Sequence, residues 1–302
     1  MVKKWFPENI PPVFKDAISW VYFVFIPQPG KKPKKEPMNA ATGGHAMSNE
    51  AGTWSPFEKA EAKALAVNAD ALGSIILPGY TGVDLDGCVV DGLISPQARK
   101  IMARLDTYTE FSPTGTGIHL IIKGAVPKDR KFTALGVEIY SGQRFLTFTG
   151  NIVEGCCREV RDINVELNQL YEELVRQEEE NKAVKTLLSK IEKSNDSAFL
   201  VLNEGKWAGS YPSQSEADLA FCSKLAFWTG KDEALMDIIF RKSGLMRFKW
   251  DEKHFSDGRT YGQAVIQKAI EGCQEVYGKA LGSSARHKHT QGEIITRDCE
   301  DN

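Results

Sequence analysis

The sequence predicts an α+β protein: a domain of mixed strands and helices, then a long helix, then a small α-helical bundle. Three observations lead there. Residues 1–163 alternate strand-like and helix-like segments, residues 164–195 keep a helical apolar period, and residues 196–281 are mostly helical by pattern. From residue 282 to 302 the chain is polar and aperiodic, and reads as a disordered tail or a linker.

In chain order, Ile18–Ile26 is an apolar run ending at Pro27 and reads as a buried strand. Lys31-Lys32-Pro33-Lys34-Lys35 follows in a Pro-rich loop suited to a phosphate backbone. Ser55-Pro56-Phe57-Glu58 has the form of a capping box and predicts a helix to about Leu72. Ser74–Leu77 and Val83–Asp86 read as strands around the turn Gly79-Tyr80-Thr81-Gly82. Ser95-Pro96 opens a helix to about Leu105, and strands are expected at Ile118–Lys123, Val137–Tyr140 and Arg144–Thr149. The linking helix is marked by Leu167, Leu170, Tyr171 and Leu174, then Val184, Leu187, Leu188 and Ile191, with Glu178-Glu179-Glu180 as a solvated face. The bundle is read from helices opening at Ser215, Asp232 and Tyr261, the last running to Tyr277.

Composition excludes several classes. The 302 residues are 42% hydrophobic and 26% charged, as in a soluble globular protein, and no run approaches the roughly 20 apolar residues of a membrane helix. Trp5, Pro7 and Glu8 interrupt any signal peptide, so a cytoplasmic location is expected. The six cysteines form no Cys-x-x-Cys and read as reduced structural thiols, with no zinc expected. The net charge is −2, so a nucleic-acid surface has to be a local patch.

The chemistry begins at Asp84-Leu85-Asp86. Two carboxylates at spacing two share one face of a strand, and like charges so close call for a divalent cation. Ser112-Pro113-Thr114-Gly115-Thr116-Gly117 offers backbone N–H groups and hydroxyls to an anion and runs into His119. Ile118, Leu120 and Ile122 take the opposite face, so His119 is expected to face away from the core, toward the loop. Glu138 supplies a third acid, and Arg144, just past a turn, a cation for a triphosphate. Such a set suits nucleotidyl transfer with two Mg²⁺ or Mn²⁺ ions, and spacing alone leaves metal-dependent phosphodiester hydrolysis equally open.

These motifs, with Val137-Glu138-Ile139-Tyr140-Ser141-Gly142-Gln143-Arg144 read as one run, closely resemble the archaeo-eukaryotic primase superfamily, and most of all its phage and plasmid primase-polymerase branch, over about residues 15–155. The resemblance implies an RRM-like catalytic sheet joined to a second α/β unit. It implies Asp84, Asp86 and Glu138 as metal ligands, and His119 as a catalytic-site contact to the incoming nucleotide. Ser112, Thr114, Gly115, Thr116, Gly117 and Arg144 are then further nucleotide contacts. Residues 209–270 resemble the helical domain that follows in such enzymes, implying template recognition. Arg241, Lys242, Arg247 and Lys249, interleaved with Phe248, Trp250 and Phe255, suit single-stranded DNA, as do Lys31, Lys32, Lys34 and Lys35.

The expectation is a primase-polymerase that starts and extends primers on single-stranded DNA from nucleoside triphosphates, with no membrane partner. A metal-dependent nuclease and a non-catalytic origin-binding protein are its rivals. No P-loop motif occurs in these residues, and a helicase domain is expected further along a longer replication protein.

Overall fold

The computed structural model describes residues 5–278, so the tail expected from residue 282 lies outside the described residues. The strands are β1 (Trp20–Gln28), β2 (Lys31–Met38), β3 (Ala71–Ile75), β4 (Tyr80–Leu85), β5 (Val89–Val90), β6 (Leu93–Ile94), β7 (Tyr108–Phe111), β8 (Ile118–Lys123), β9 (Arg130–Phe132), β10 (Val137–Tyr140) and β11 (Phe145–Phe148). The helices are α1 (Pro12–Lys15), α2 (Phe57–Ala66), α3 (Pro96–Leu105), α4 (Asn164–Ser194), α5 (Ser197–Asn203), α6 (Gln214–Thr229), α7 (Glu233–Lys242) and α8 (Tyr261–Gly272). The α+β expectation holds. The chain divides into two compact units, Met1–Glu179 and Glu180–Asn302.

In the first unit a four-stranded sheet has the order β11-β3-β1-β2 and a five-stranded sheet the order β7-β8-β4-β10-β9, with every pairing antiparallel. Strands β4 and β7 both oppose β8, so they run parallel to each other, joined through α3 as a split β-α-β unit. One face of the five-stranded sheet carries Val83, Leu85, Ile118, Leu120, Ile122, Val137 and Ile139. It packs with Ile101, Met102 and Leu105 of α3 and with Leu167, Leu170 and Leu174 of α4. The opposite face is covered over half its length: Tyr108, Ile121 and Tyr140 join a core with Trp20, Tyr22, Leu72 and Phe148. Gly82 lies on that face, where a Cβ would come within 3.0 Å of Ile76 and 3.1 Å of Leu146.

Several local expectations are corrected. Residues 31–35 are not a loop: they form the start of β2, paired with β1 across the two-residue turn Pro29-Gly30. An edge strand leaves one row of backbone groups facing water, so Pro33 is tolerated there. Ser55 does not cap α2, because its N–H and C=O both bond to Trp20 at 2.9 Å and Pro56 takes the cap position. The helix ends at Ala66, short of Leu72. Helix α8 stops at Gly272, short of Tyr277. Ser95 does cap α3, its Oγ accepting from the Ala98 N–H at 3.2 Å ahead of Pro96. Glu178 is not merely solvated, since Arg130 Nε donates to it at 3.1 Å.

In the second unit Phe199, Phe221, Leu225, Met236, Phe240, Leu245 and Trp250 build the core, closed by Val184 and Ile191 of α4. Each of α5 to α8 opens on a side-chain cap: Asp196, Ser213, Asp232 and Thr260.

Candidate active site

Backbone register assembles the site. Glu110 on β7 stands opposite His119 on β8, His119 opposite Asp84 on β4, Asp84 opposite Glu138 on β10, and Glu138 opposite Lys131 on β9. Directly opposed residues in antiparallel strands have Cα atoms about 4.5–5.5 Å apart and side chains on one face. One polar rung therefore crosses all five strands of the sheet, on the face turned away from α3.

Burial is graded along the rung. Glu110 and His119 are fully enclosed, Asp84 and Glu138 are about a quarter exposed, and Lys131 is half exposed. His119 is thus enclosed, where its alternation had it facing out of the core toward the loop: only 1% of its surface is accessible. It does avoid the α3 core, but the second sheet covers the face it occupies. Its Nε2 lies 3.7 Å from Asp84 Oδ1, a charge contact beyond hydrogen-bond length, and its Nδ1 lies 3.4 Å from Glu110 Oε1, at the long limit of one. Burial pulls the imidazole toward neutrality, and Lys35 works the same way. Asp84 and Glu110 outweigh both and hold His119 above its ordinary value.

Glu138 is held in place by two neighbours. Lys131 Nζ donates to both carboxylate oxygens at 2.9 Å, and the Tyr140 hydroxyl donates to Oε2. Burial first, then the Glu138 carboxylate, raises Tyr140 well above the usual phenol value, so the hydroxyl keeps its proton. The Arg144 guanidinium stacks 4.3 Å from the Tyr140 ring centre, so Arg144 reaches Glu138 only through that ring.

Asp86 lies one residue beyond β4, its N–H bonded to Gly136 C=O at 2.9 Å. Next to it, Cys88 is raised to about 11, chiefly by burial and then by the charge of Asp84, and remains a thiol at neutral pH. The Ser112–Gly117 loop joins β7 to β8 and rests on this same segment. Thr116 C=O accepts from Val89 N–H at 3.0 Å, and a Cβ on Gly117 would sit 3.0 Å from Leu85 C=O. Ser112 Oγ accepts from Gly117 N–H at 3.1 Å, and the Thr114 and Thr116 hydroxyls lie 2.8 Å apart on the exposed side. The fold therefore sets Asp84, His119 and Glu138 on one rung, with Asp86 and the loop beyond it at the Leu85–Ile118 end and Arg144 approaching from the Tyr140 side. Among the described residues, no three His, Cys, Asp or Glu side chains already converge on a single point. The donor set offered by Asp84, Asp86 and Glu138 is all carboxylate oxygen, which fits a hard divalent cation.

Sequence reasoning missed Glu110 and Lys131 as neighbours of these groups. Tyr108-Thr109-Glu110-Phe111 was a readable signal, a short alternating segment with an acid just before the Gly-rich loop.

The basic residues of the second unit are less free than their spacing suggested. Arg241 is bonded to Asp237 at 2.6 Å and Asp251 at 2.7 Å, and Lys242 to Asn181 at 2.6 Å. Arg247 bonds to the buried Asp218 at 2.7 Å. Lys249 donates to Ser215 at 3.2 Å and lies 4.3 Å over the Tyr261 ring. Trp250 is corrected from a surface platform to a core residue. It stacks on Phe240 at 3.4 Å, donates to Asp237 at 2.7 Å, and leaves room only for glycine at position 262. Two of the three aromatic rings singled out are exposed, Phe248 at 87% and Phe255 at 44%. On β2, Lys34 pairs with Glu36, and Lys35 lies 5.6 Å over Phe25; Lys31 is exposed.

Residues 214–279 match the family model of the NrS-1 polymerase HBD domain. Over 266 residues, 83% of this chain, the sequence is 30% identical to the DNA primase-polymerase of Nitratiruptor phage NrS-1, of which the match covers 36%. The chain thus spans about a third of the length of that relative. The same similarity runs through the sheet that carries the polar rung and through the helices of the second unit, so both units resemble those of a phage primase-polymerase.

Proposed function

We propose that this chain is a DNA-dependent primase-polymerase, starting and extending primers on single-stranded DNA from nucleoside triphosphates. The observation that carries this reading is the polar rung: Asp84 and Glu138 directly opposed, His119 beside them, and the hydroxyl-rich loop at the strand ends. Asp84, Asp86 and Glu138 would hold Mg²⁺ or Mn²⁺. When bound, such ions acidify the attacking 3′-hydroxyl and neutralise the leaving pyrophosphate.

The other roles belong to the chain itself. His119 Nε2, at the edge where the rung opens, meets a phosphate oxygen of the nucleotide. Thr114, Thr116 and the loop N–H groups surround the triphosphate, and Arg144, steadied by Tyr140, adds a compensating charge. Lys131 keeps Glu138 beside Asp84, and Glu138 would give up that ammonium to serve as a metal ligand. In the second unit, Phe248 offers a face to a template base between Arg247 and Lys249.

Single-stranded DNA, labelled nucleotides and Mg²⁺ or Mn²⁺, with and without a primer, test the reading beside an Asp86→Ala variant. New strands are expected from the wild type and none from the variant. Cleavage of the template would move the reading to a nuclease, and tight DNA binding with no product in either protein would move it to a non-catalytic initiator.

A further inference from the structure

A fully buried carboxylate requires explanation, because desolvating it costs several kcal/mol unless donors compensate. Glu110 has such donors. The Tyr108 hydroxyl donates to Oε2 at 2.6 Å, Gly150 N–H to Oε2 at 2.7 Å, and Thr149 N–H to both oxygens at 3.1 Å. Gly150 turns with φ +64° against Phe6, where a Cβ would come within 2.1 Å of the Phe6 C=O, so that N–H is aimed by a turn only glycine can make. These bonds leave Oε1 facing His119 Nδ1, which has no hydrogen-bond partner of its own.

We propose that Glu110 is the positioning residue for His119: it fixes the imidazole with Nδ1–H toward itself and so keeps Nε2 aimed at Asp84 and the open end of the rung. A bare Nδ1 would set its lone pair against a carboxylate oxygen at 3.4 Å, which is repulsive in a low-dielectric interior. The Tyr108 hydroxyl and the Thr149 and Gly150 N–H groups call for an acceptor at position 110, and while they hold it the carboxylate keeps Oε1 against the imidazole. The carboxyl and the histidine share one rung of β7 and β8, so the contact is built into their register. Buried partners that orient a functional histidine are worth about 10- to 100-fold when removed in metal sites, and a similar loss is expected here.

The role of His119 in nucleotide binding rests on the function proposed above; its orientation does not. The first arm of the test is therefore a long-range ¹⁵N–¹H spectrum of the histidine rings of the full chain at neutral pH, with His119 assigned through a His119→Asn variant. A proton on Nδ1 of His119 is expected; a bare Nδ1 overturns the proposal, whatever the activity of the protein. The second arm is Glu110→Gln, expected to change the Nδ1 signal and to raise KM for nucleotide about tenfold, with a smaller effect on kcat. A variant that melts earlier but keeps the wild-type signal and KM would make Glu110 merely structural. Should Glu110→Gln not fold, the wild-type spectrum still decides. Should the wild type make no DNA, the same spectrum separates failure of the functional reading from failure of this one.

Discussion

Lys131 grips Glu138 with both carboxylate oxygens 2.9 Å from one ammonium, so a cation arriving at Glu138 has to displace a charge already there. The pair is partly solvated, which limits its strength to about 0–1 kcal/mol. Lys131→Met should therefore lower the Mn²⁺ concentration for half-maximal strand synthesis by up to about fivefold. A metal titration of wild type and variant measures this, and an unchanged or raised requirement would mean that Lys131 does not compete.

Phe248 and Trp250 are two residues apart and should behave as opposites. Trp250→Ala removes a ring stacked on Phe240 and is expected to cost about 3–5 kcal/mol of stability. Phe248→Ala removes an exposed ring and should leave the melting temperature within a degree or two, while weakening single-stranded DNA binding by about 1–3 kcal/mol. Thermal melts and fluorescence anisotropy separate the two. Unchanged DNA affinity in Phe248→Ala would remove that ring from the template surface.

Asp196 caps α5 and also receives Lys224 at 2.7 Å and Trp228 at 3.1 Å. Burial pushes its carboxyl up, but Lys224, Trp228 and the Phe199 N–H together hold it below the usual value. A carboxylate depressed in the folded state contributes fully above its unfolded pKa of about 3.9, and the contribution is lost as pH falls through the folded value. Asp196→Ala should cost about 1 kcal/mol near pH 7 from the lost cap, and the gap from wild type should narrow below about pH 4. Denaturation curves at the two pH values, read by tryptophan fluorescence, check this; a gap independent of pH would contradict it.

Gly150→Ala puts a methyl group into the Phe6 carbonyl and a side chain at φ +64°. A loss of about 1–3 kcal/mol is expected, with reduced nucleotide affinity because the Gly150 N–H no longer anchors Glu110. Calorimetric unfolding and nucleotide titration measure the two together; a stable variant with normal affinity would show that the turn can relax.

Much of this was legible in the sequence. Strands β8 and β10 begin and end where alternation placed them, and Ser95-Pro96 opens α3 as local chemistry requires. Asp84 and Asp86, the carboxylates proposed to hold metal, stand out because two acids at spacing two are costly without a reason. Three things were not legible. Strand β2 was hidden because lysines and prolines lower strand propensity, and its pairing comes from the neighbouring β1. His119 was assigned to the correct face, but alternation carries no information on whether a second sheet covers that face. Glu110 was missed because its partner is supplied by strand pairing, a long-range property that no local window contains.

The pairing of β10 with β4 has a consequence for how the protein matures. Because side chains alternate, sliding β10 by one residue would move Glu138 into the oil beneath α3 and α4 and lift Val137 and Ile139 into the place of the acid. The penalty for burying an unpaired carboxylate makes that misalignment self-correcting. The greasy side of the strand thus acts as an alignment key for the charged side, so a molecule that has closed its core has also set its carboxylates in line.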